Sequence, residues 1–420
     1  MKKTLVLLLI LAVAGGMAFA QQLTWNGQLQ TGVWFRGGDN VAHPNTFADD
    51  DDSGHGVEAK IVATYDADVW GFKFAPRVVS DAVNNVDDPL SAVQTGANLF
   101  ADDAYGWINF LDKMINVKTG YINDAVWGNA GQFGENYDAG LGVRLEIMPI
   151  DGLNVGAFFN YPDGGGYANK NTNFLGETAF GFKYTADVWN LSATLKLYSE
   201  ESTYSPSNDK TDVATWAYLG DDAQGKPIYK AISGRPDMKM LFGFGFTGVQ
   251  NLTVIVDGHL WYMNHWSDLG LFQSWEEFAY KLSDPFTVGL NFYEAFSGNS
   301  DIGFYNLGIW PYAYYMITDN IQLGLDLKFF LGKNTMAGVD YWNQPDVGLK
   351  TDANGKVTTN DFGFNEFNPD IFVKYTAGNA WVQATYVLDY WMKDYNAGTL
   401  GKTDDAAVNH LVKIVFGYSF

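Results

Sequence analysis

Cysteine is absent from the 420-residue chain, so no disulfide framework can hold it together. Positive charge is scarce. The 26 Lys and Arg stand against 48 Asp and Glu, and the resulting formal net charge of −22 argues against nucleic acid as a partner. Beyond residue 20 no apolar run reaches eighteen residues, which excludes a transmembrane helix there. Histidines are few (His43, His55, His259, His265 and His410), and neither HExxH nor Gly-x-Ser-x-Gly occurs. We therefore expect neither an enzyme nor a cofactor. Asp257 and His259, two positions apart, share a strand face, and a structural pair accounts for them more simply than a base and its orienter.

What the chain does contain is a leader-like start. Lys2 and Lys3 precede the apolar run TLVLLLILAVAGG, and Ala18-Phe19-Ala20 fits a signal-peptidase site. Residues 1–20 read as a cleaved secretory signal peptide and 21–420 as a single domain. Losing the two lysines takes the net charge from −22 to −24.

Aromatic residues are 16% of the chain, and with abundant Gly and Asn they suit an all-β protein. Strand-like alternation runs through the whole domain. LTWNGQLQTGVWF (23–35) sets Leu23, Trp25, Leu29, Val33 and Phe35 on one face, against Thr24, Asn26, Gln28 and Gln30. VEAKIVATY, LGVRLEIM, WNLSATLKLY, FTVGLNFY and IQLGLDLKFF repeat the scheme, each with one apolar face and one carrying charge, amide, hydroxyl or glycine. Short turns of Asp, Asn, Gly and Pro join neighbours at 66–68, 112–114, 149–152, 185–188, 248–251, 283–285, 318–320 and 376–379. Long polar connections lie between them, at 37–56, 80–103, 124–139, 162–178, 199–237, 263–275, 295–304, 331–367 and 390–407. These eight hairpins plus a first and a last strand predict about eighteen strands, or sixteen if the weak hairpin at 104–122 is not one.

The final stretch, VKIVFGYSF, places Val412, Ile414, Phe416, Tyr418 and Phe420 on one face. It resembles the closing strand of a bacterial outer-membrane barrel, in which a terminal Phe serves as an assembly signal. YDADVW (65–70) and YTADVW (184–189) put Tyr and Trp on either side of a turn, as an aromatic girdle would. YTAGNAW (375–381) carries an extra residue that leaves the face of Trp381 open. The resemblance implies an all-β, transmembrane antiparallel barrel of the Gram-negative porin type. Its short turns would be periplasmic and its long loops extracellular. It also implies export to the outer membrane, with lipid, lipopolysaccharide and the barrel-assembly machinery as partners. A homotrimer stays open, because no lipid-facing strip of small residues stands out.

With the apolar parity toward lipid, the other parity lines the lumen. It carries Lys60, Lys73, Arg77, Lys118, Arg144, Lys183, Lys196, Lys281, Lys328, Lys374 and Lys413, beside Glu58, Glu146, Asp257, Glu277, Asp326 and Asp370. The excess acid is expected in the loops, including Asp102–Asp103. Asp49, Asp50, Asp51 and Asp52 form an oxygen-rich run without full EF-hand spacing, read as a solvated loop or a weak calcium site.

The connection NDAVWGNAGQFGENYDAG (123–140) resembles the inward-folding third loop of general porins. Gln132-Phe133-Gly134-Glu135 holds the place of that loop's core, with Asp124 and Asp138 beside it. The usual Pro-Glu start is missing and the loop is shorter. The resemblance implies a constriction in which Glu135 and its neighbours oppose Lys60, Lys73 and Arg144 across the channel; wall-stiffening salt bridges are the equal alternative. Trp34, Trp310, Tyr312 and Tyr314 also fall on the inward parity. They could form a sugar track of the kind found in eighteen-stranded sugar porins, or anchor loops, or have the opposite parity, since Leu307, Ile309, Ala313 and Tyr315 form the rival face. The function expected is passive diffusion of small hydrophilic solutes through a water-filled channel. The alternative is a non-conducting surface barrel acting as adhesin or receptor.

Overall fold

A computed structural model of the chain describes residues 23–38, 45–47, 55–81, 97–128, 137–160, 178–197, 203–207, 216–221, 227–233, 238–263, 268–296, 305–333, 338–339, 345–346, 362–391 and 407–420. Residues 1–20, Asp49–Asp52 and Glu135 lie outside that set.

Among the described residues the short strand Asn45–Phe47 pairs with the upper part of the first barrel strand, and eighteen strands close the barrel. In chain order they are β1 (Leu23–Gly38), β2 (His55–Asp66), β3 (Trp70–Asp81), β4 (Ala97–Phe110), β5 (Ile115–Ile122), β6 (Gly140–Ile150), β7 (Leu153–Asn160), β8 (Thr178–Thr185), β9 (Trp189–Leu197), β10 (Met238–Phe246), β11 (Leu252–Met263), β12 (Asp268–Ser283), β13 (Phe286–Phe296), β14 (Tyr305–Thr318), β15 (Ile321–Lys333), β16 (Gly363–Ala377), β17 (Ala380–Trp391) and β18 (Ala407–Ser419). Every strand is antiparallel to its chain neighbours, and β1 pairs with β18 as well as β2. The closing ladder runs from Gln28 opposite Ser419 to Gly38 opposite Asn409. Closure removes both sheet edges, which is what allows backbone amides to sit at the depth of a membrane.

The apolar parity faces outward. Trp25, Leu29 and Phe35 on β1, Phe72, Phe74 and Val78 on β3, and Val412, Phe416 and Tyr418 on β18 are all exposed, whereas Trp34 on the opposite parity of β1 is fully buried. A closed antiparallel barrel with an apolar outer belt is the architecture of bacterial outer-membrane proteins, and this chain is a membrane-spanning barrel of that kind. All eight expected short turns join strand pairs. In the two sister turns the Tyr and Trp rings meet, Tyr65 with Trp70 at 5.0 Å and Tyr184 with Trp189 at 5.2 Å. The backbone explains the shared motif: Ala67 N–H donates to Trp70 O, and Ala186 N–H to Trp189 O. Asp68 takes a left-handed φ of 68°, with its N–H bonded to Asp66 Oδ1. The third version differs. A tighter turn with Gly378 at φ 59° pairs Ala377 with Ala380, so Trp381 faces inward, over Gly417 and under the Lys374 ammonium.

Three expectations need correction. The hairpin at 104–122 is real, so sixteen strands is excluded. Two connections are shorter than expected, because β4 begins at Ala97 and β12 at Asp268. Asp102 and Asp103 are consequently not loop acids but buried strand residues. The register explains this: Ala75 faces Asp103 and Pro76 faces Ala101, leaving Asp102 as the extra residue of a bulge. Pro76, with no N–H to donate, stands where the ladder breaks. Within the 199–237 connection, strands 203–207, 227–233 and 216–221 form a separate small antiparallel sheet in that spatial order.

Candidate functional site: the lumenal ion-pair strip and the infolded loop

The bulge turns two consecutive carboxylates into the lumen, where the basic residues of β2 and β3 meet them. Lys60 Nζ lies 2.6 Å from Asp102 Oδ2, and Lys73 Nζ lies 2.7 Å from Asp103 Oδ2. Arg77 reaches Glu58 at 2.5 Å and Asp102 at 3.8 Å, and the Gln28 amide donates to Glu58 at 3.0 Å. Further round the wall, Lys118 Nζ is 3.0 Å from Glu146 Oε1. Each cation extends from a short strand-borne stem toward an acid of the same wall, so the strip is a network and not a bare positive face.

Arg144 is its buried end. Its Nε donates to Glu146 Oε1 at 3.0 Å. Its Nη1 donates to the carbonyl of Asp124 at 2.5 Å and to that of Asp138 at 3.4 Å, and it also reaches Asp138 Oδ2 at 3.4 Å. Asp124 begins, and Asp138 ends, the connection between β5 and β6. One guanidinium therefore ties both ends of that connection to the wall, using the forked donor geometry that a lysine lacks. Asp138 Oδ2 also accepts from Val126 N–H at 2.8 Å, which closes the neck of the loop upon itself. The Tyr105 hydroxyl donates to Asp124 Oδ2 at 3.1 Å.

The described residues next to those ends, 125–128 and 137, lie along the inside of the wall. Trp127 is fully buried, its indole N–H bonded to Asn154 Oδ1 at 2.9 Å. Its ring covers Gly156 on β7 and Gly181 on β8, where any added Cβ would collide with it. Gly128, at φ +84°, fits against Thr194 on β9 and Leu241 on β10. On the returning limb, Tyr137 accepts from Trp261 Nε1 on β11 at 3.3 Å and lies 5.7 Å from the Lys239 ammonium of β10. Tyr105, Ile122, Phe158 and Ala179 complete an apolar cluster around Trp127.

The expected site residues are thus brought together, but in a different arrangement. Lys60, Lys73, Arg77, Lys118 and Arg144 line one continuous strip. Asp124 and Asp138 join that strip instead of facing it across the lumen. These contacts have the form of the wall-stiffening alternative; Glu135, which the constriction reading sets opposite the strip, lies outside the described residues. Asp102, Asp103, Trp127 and Tyr137 are the contributors that sequence reasoning missed. The glycines at 156 and 181, both on the inward parity, were the available hint of something lying flat on the wall.

A second lumenal cluster sits on β12–β16. Trp310, Tyr312 and Tyr314 do face inward, with Tyr312 and Tyr314 stacked at 4.8 Å. Their polar ends are engaged: Tyr312 donates to Glu277 at 2.7 Å, while Tyr314 and Trp310 donate to Asp326 at 3.1 and 3.3 Å. Lys328 pairs with Asp370 at 2.5 Å and lies 4.3 Å from the Trp310 ring centroid. Trp34 belongs to another cluster, with Val387 and Leu411, and the Lys413 ammonium lies 4.2 Å from its ring. The four aromatics do not form one continuous track.

No protein-family model and no curated protein matches the sequence. Solved barrels do resemble it in fold. OccK11 (OpdR) of Pseudomonas aeruginosa is 10% identical over 95% of this chain and 96% of its own, with a TM-score of 0.49. The outer membrane channel DcaP of Acinetobacter baumannii is 11% identical over 95% and 97%, at 0.48. OmpT of Vibrio cholerae, an outer membrane protein in trimer form, is 12% identical over 95% and 99%, at 0.42.

Proposed function

We propose that this barrel is an outer-membrane channel for passive diffusion of small hydrophilic solutes, and that the connection between β5 and β6 narrows it. The observation that carries this reading is where the described ends of the loop sit. They are anchored by Arg144, and Trp127 lies against the β7–β8 wall. A barrel of eighteen strands is too wide for its own wall side chains to fill. A loop pinned along one side narrows such a lumen while leaving a passage beside it. The short turns would face the periplasm and the long connections the exterior. Lipid and lipopolysaccharide would surround the barrel, and assembly machinery would read the Phe416, Tyr418 and Phe420 face of β18.

Conductance of the refolded chain in a planar lipid bilayer tests this. Discrete open steps are expected, larger in a variant whose loop is released. A folded barrel that yields no steps would overturn the reading. One observation favours a second reading, a surface receptor or adhesin: the 199–237 connection carries its own three-stranded sheet, a folded surface that a passive channel does not need. Binding of whole cells to host or phage surfaces, lost on excision of 203–233 with conductance unchanged, would support it.

A further inference from the structure

A cavity of about 590 Å³ opens at the short-turn end of the lumen, where the turns meet the infolded loop. Its size is that of a small-molecule site. Three neighbouring segments frame it: residues 111–114 between β4 and β5, residues 148 and 150–154 around the β6–β7 turn, and Lys183 with Thr185 at the end of β8. Val126 of the loop lines it too. Backbone bonds hold the frame, Met148 N–H donating to Met114 O at 2.7 Å and Thr185 N–H to Gly152 O at 2.8 Å. One corner is strained. Leu111, Asp112 and Lys113 are three consecutive non-glycine residues at left-handed φ, 51°, 53° and 70°. Strain of this kind collects at ligand clamps.

The charges of this cavity are sorted by depth. Lys183 sits two residues inside the end of its strand, opposite the inward Asn154. Lys60, Lys73, Arg77, Lys118 and Arg144 each have a carboxylate on the wall. Among the described residues Lys183 has no ion pair, hydrogen bond or ring contact. Asp112 and Asp151 stand exposed at their turns, and neither pairs with Lys183 or with another described cation. Lys113 is already taken, 2.6 Å from Asp68. The apolar lining comes from Met114, Met148, Leu153 and Val126. The unbranched thioether of methionine adapts to side chains of varied shape.

We propose that this cavity binds a short peptide with both termini free, its carboxylate on Lys183, its ammonium at Asp112 and Asp151, and its side chains against the methionines. The lining selects that class. A simple organic anion would leave the two acids facing nothing, and a polyamine would leave Lys183 facing nothing. A single amino acid carries both charges on one carbon, too close together to reach from the strand to the turn tips. A dipeptide or tripeptide separates them, since two extended residues span about 7 Å. Position couples the site to the loop. Val126 packs against the Trp127 cluster, and Asn154, which also lines the cavity, accepts the Trp127 indole N–H at 2.9 Å. An occupant therefore touches both neighbours that seat Trp127. The site is distinct from the ion-paired strip and stands whether or not the barrel conducts.

Isothermal titration calorimetry of the refolded full chain in lipid nanodiscs tests this, with heat-modifiable migration as the check of folding. The probes are the dipeptide Ala-Leu, its N-acetylated form and its C-terminal amide. Saturable binding of Ala-Leu is expected, and each blocked form should bind at least tenfold more weakly. Lys183→Gln and the double variant D112N/D151N should each weaken Ala-Leu binding at least tenfold. Lys281→Gln, beside a different turn, should leave it unchanged. No saturable binding of Ala-Leu would overturn the proposal. So would equal binding of either blocked form, or full affinity in Lys183→Gln. Conductance separates this inference from the channel reading: open steps without peptide binding overturn the site alone, and peptide binding to a folded barrel without steps overturns the channel alone.

Discussion

The indole ring of Trp127 occupies the space that a side chain at Gly181 would need. A loop residue and a strand residue more than fifty positions apart are thus shaped to each other, and that fit decides where the β5–β6 connection can rest.

Filling the seat should release the loop. Gly181→Val places branched carbon where the ring lies, and overpacking of this kind costs about 1–3 kcal/mol when the structure cannot give. Here the loop can give. We expect single-channel conductance to rise while the barrel's urea unfolding midpoint in lipid vesicles changes little. An unchanged conductance with a lower midpoint would mean that the wall yielded instead.

Removing the clamp should do more. Arg144→Met leaves Asp138 buried without its guanidinium, and breaking a buried charge pair by deleting one partner costs about 3–5 kcal/mol. Arg144→Lys restores charge without the fork and should recover only part of the loss. Unfolding in vesicles reads the stability, and noise in the open-channel current reads the freed loop.

Neutralising the bulge should change the sign of the wall. Asp102→Asn with Asp103→Asn strips the carboxylates from Lys60 and Lys73. The reversal potential in a salt gradient is expected to shift toward anions, and the shift should shrink as ionic strength is raised. A potential that does not move would place this strip outside the conducting path.

The terminal ring should matter to assembly more than to the finished barrel. Phe420 exchanges backbone hydrogen bonds with Gly27, at 2.9 and 3.0 Å, and its ring covers that glycine. Deleting Phe420 is expected to lower the folded fraction recovered from outer membranes several-fold, as read by heat-modifiable migration. The barrels that do form should keep normal conductance.

Much of the architecture was legible. The eight turns announced themselves because Asp, Asn, Gly and Pro are needed where the chain reverses, and period-two alternation told lipid from lumen at Trp25 and Trp34 alike. Asp102–Asp103 was not legible, because a bulge shifts the phase by one residue and an acid pair looks the same in a loop. The partners of Arg144 were also hidden. Parity gives the direction in which a side chain points but not what a loop brings back to meet it. The seat of Trp127 depends on two glycines from different hairpins, and spacing along the chain carries no trace of their adjacency. Trp381 is a milder case: one residue more between turn and ring reversed its side of the sheet.

The ladder between β1 and β18 joins residue 28 to residue 419, whereas every other junction joins strands adjacent in the chain. Hairpins can form one after another as their own short turns close, but this junction cannot begin until both distant segments are in hand. Bringing ends so far apart together carries a loop-closure entropy of about 5 kcal/mol, against a small fraction of that for a tight turn. The kinetic barrier to a finished barrel is therefore concentrated at one line along its side. Until that line zips, the molecule is a curled sheet with two raw edges, and the order of events in its biogenesis is written into its topology.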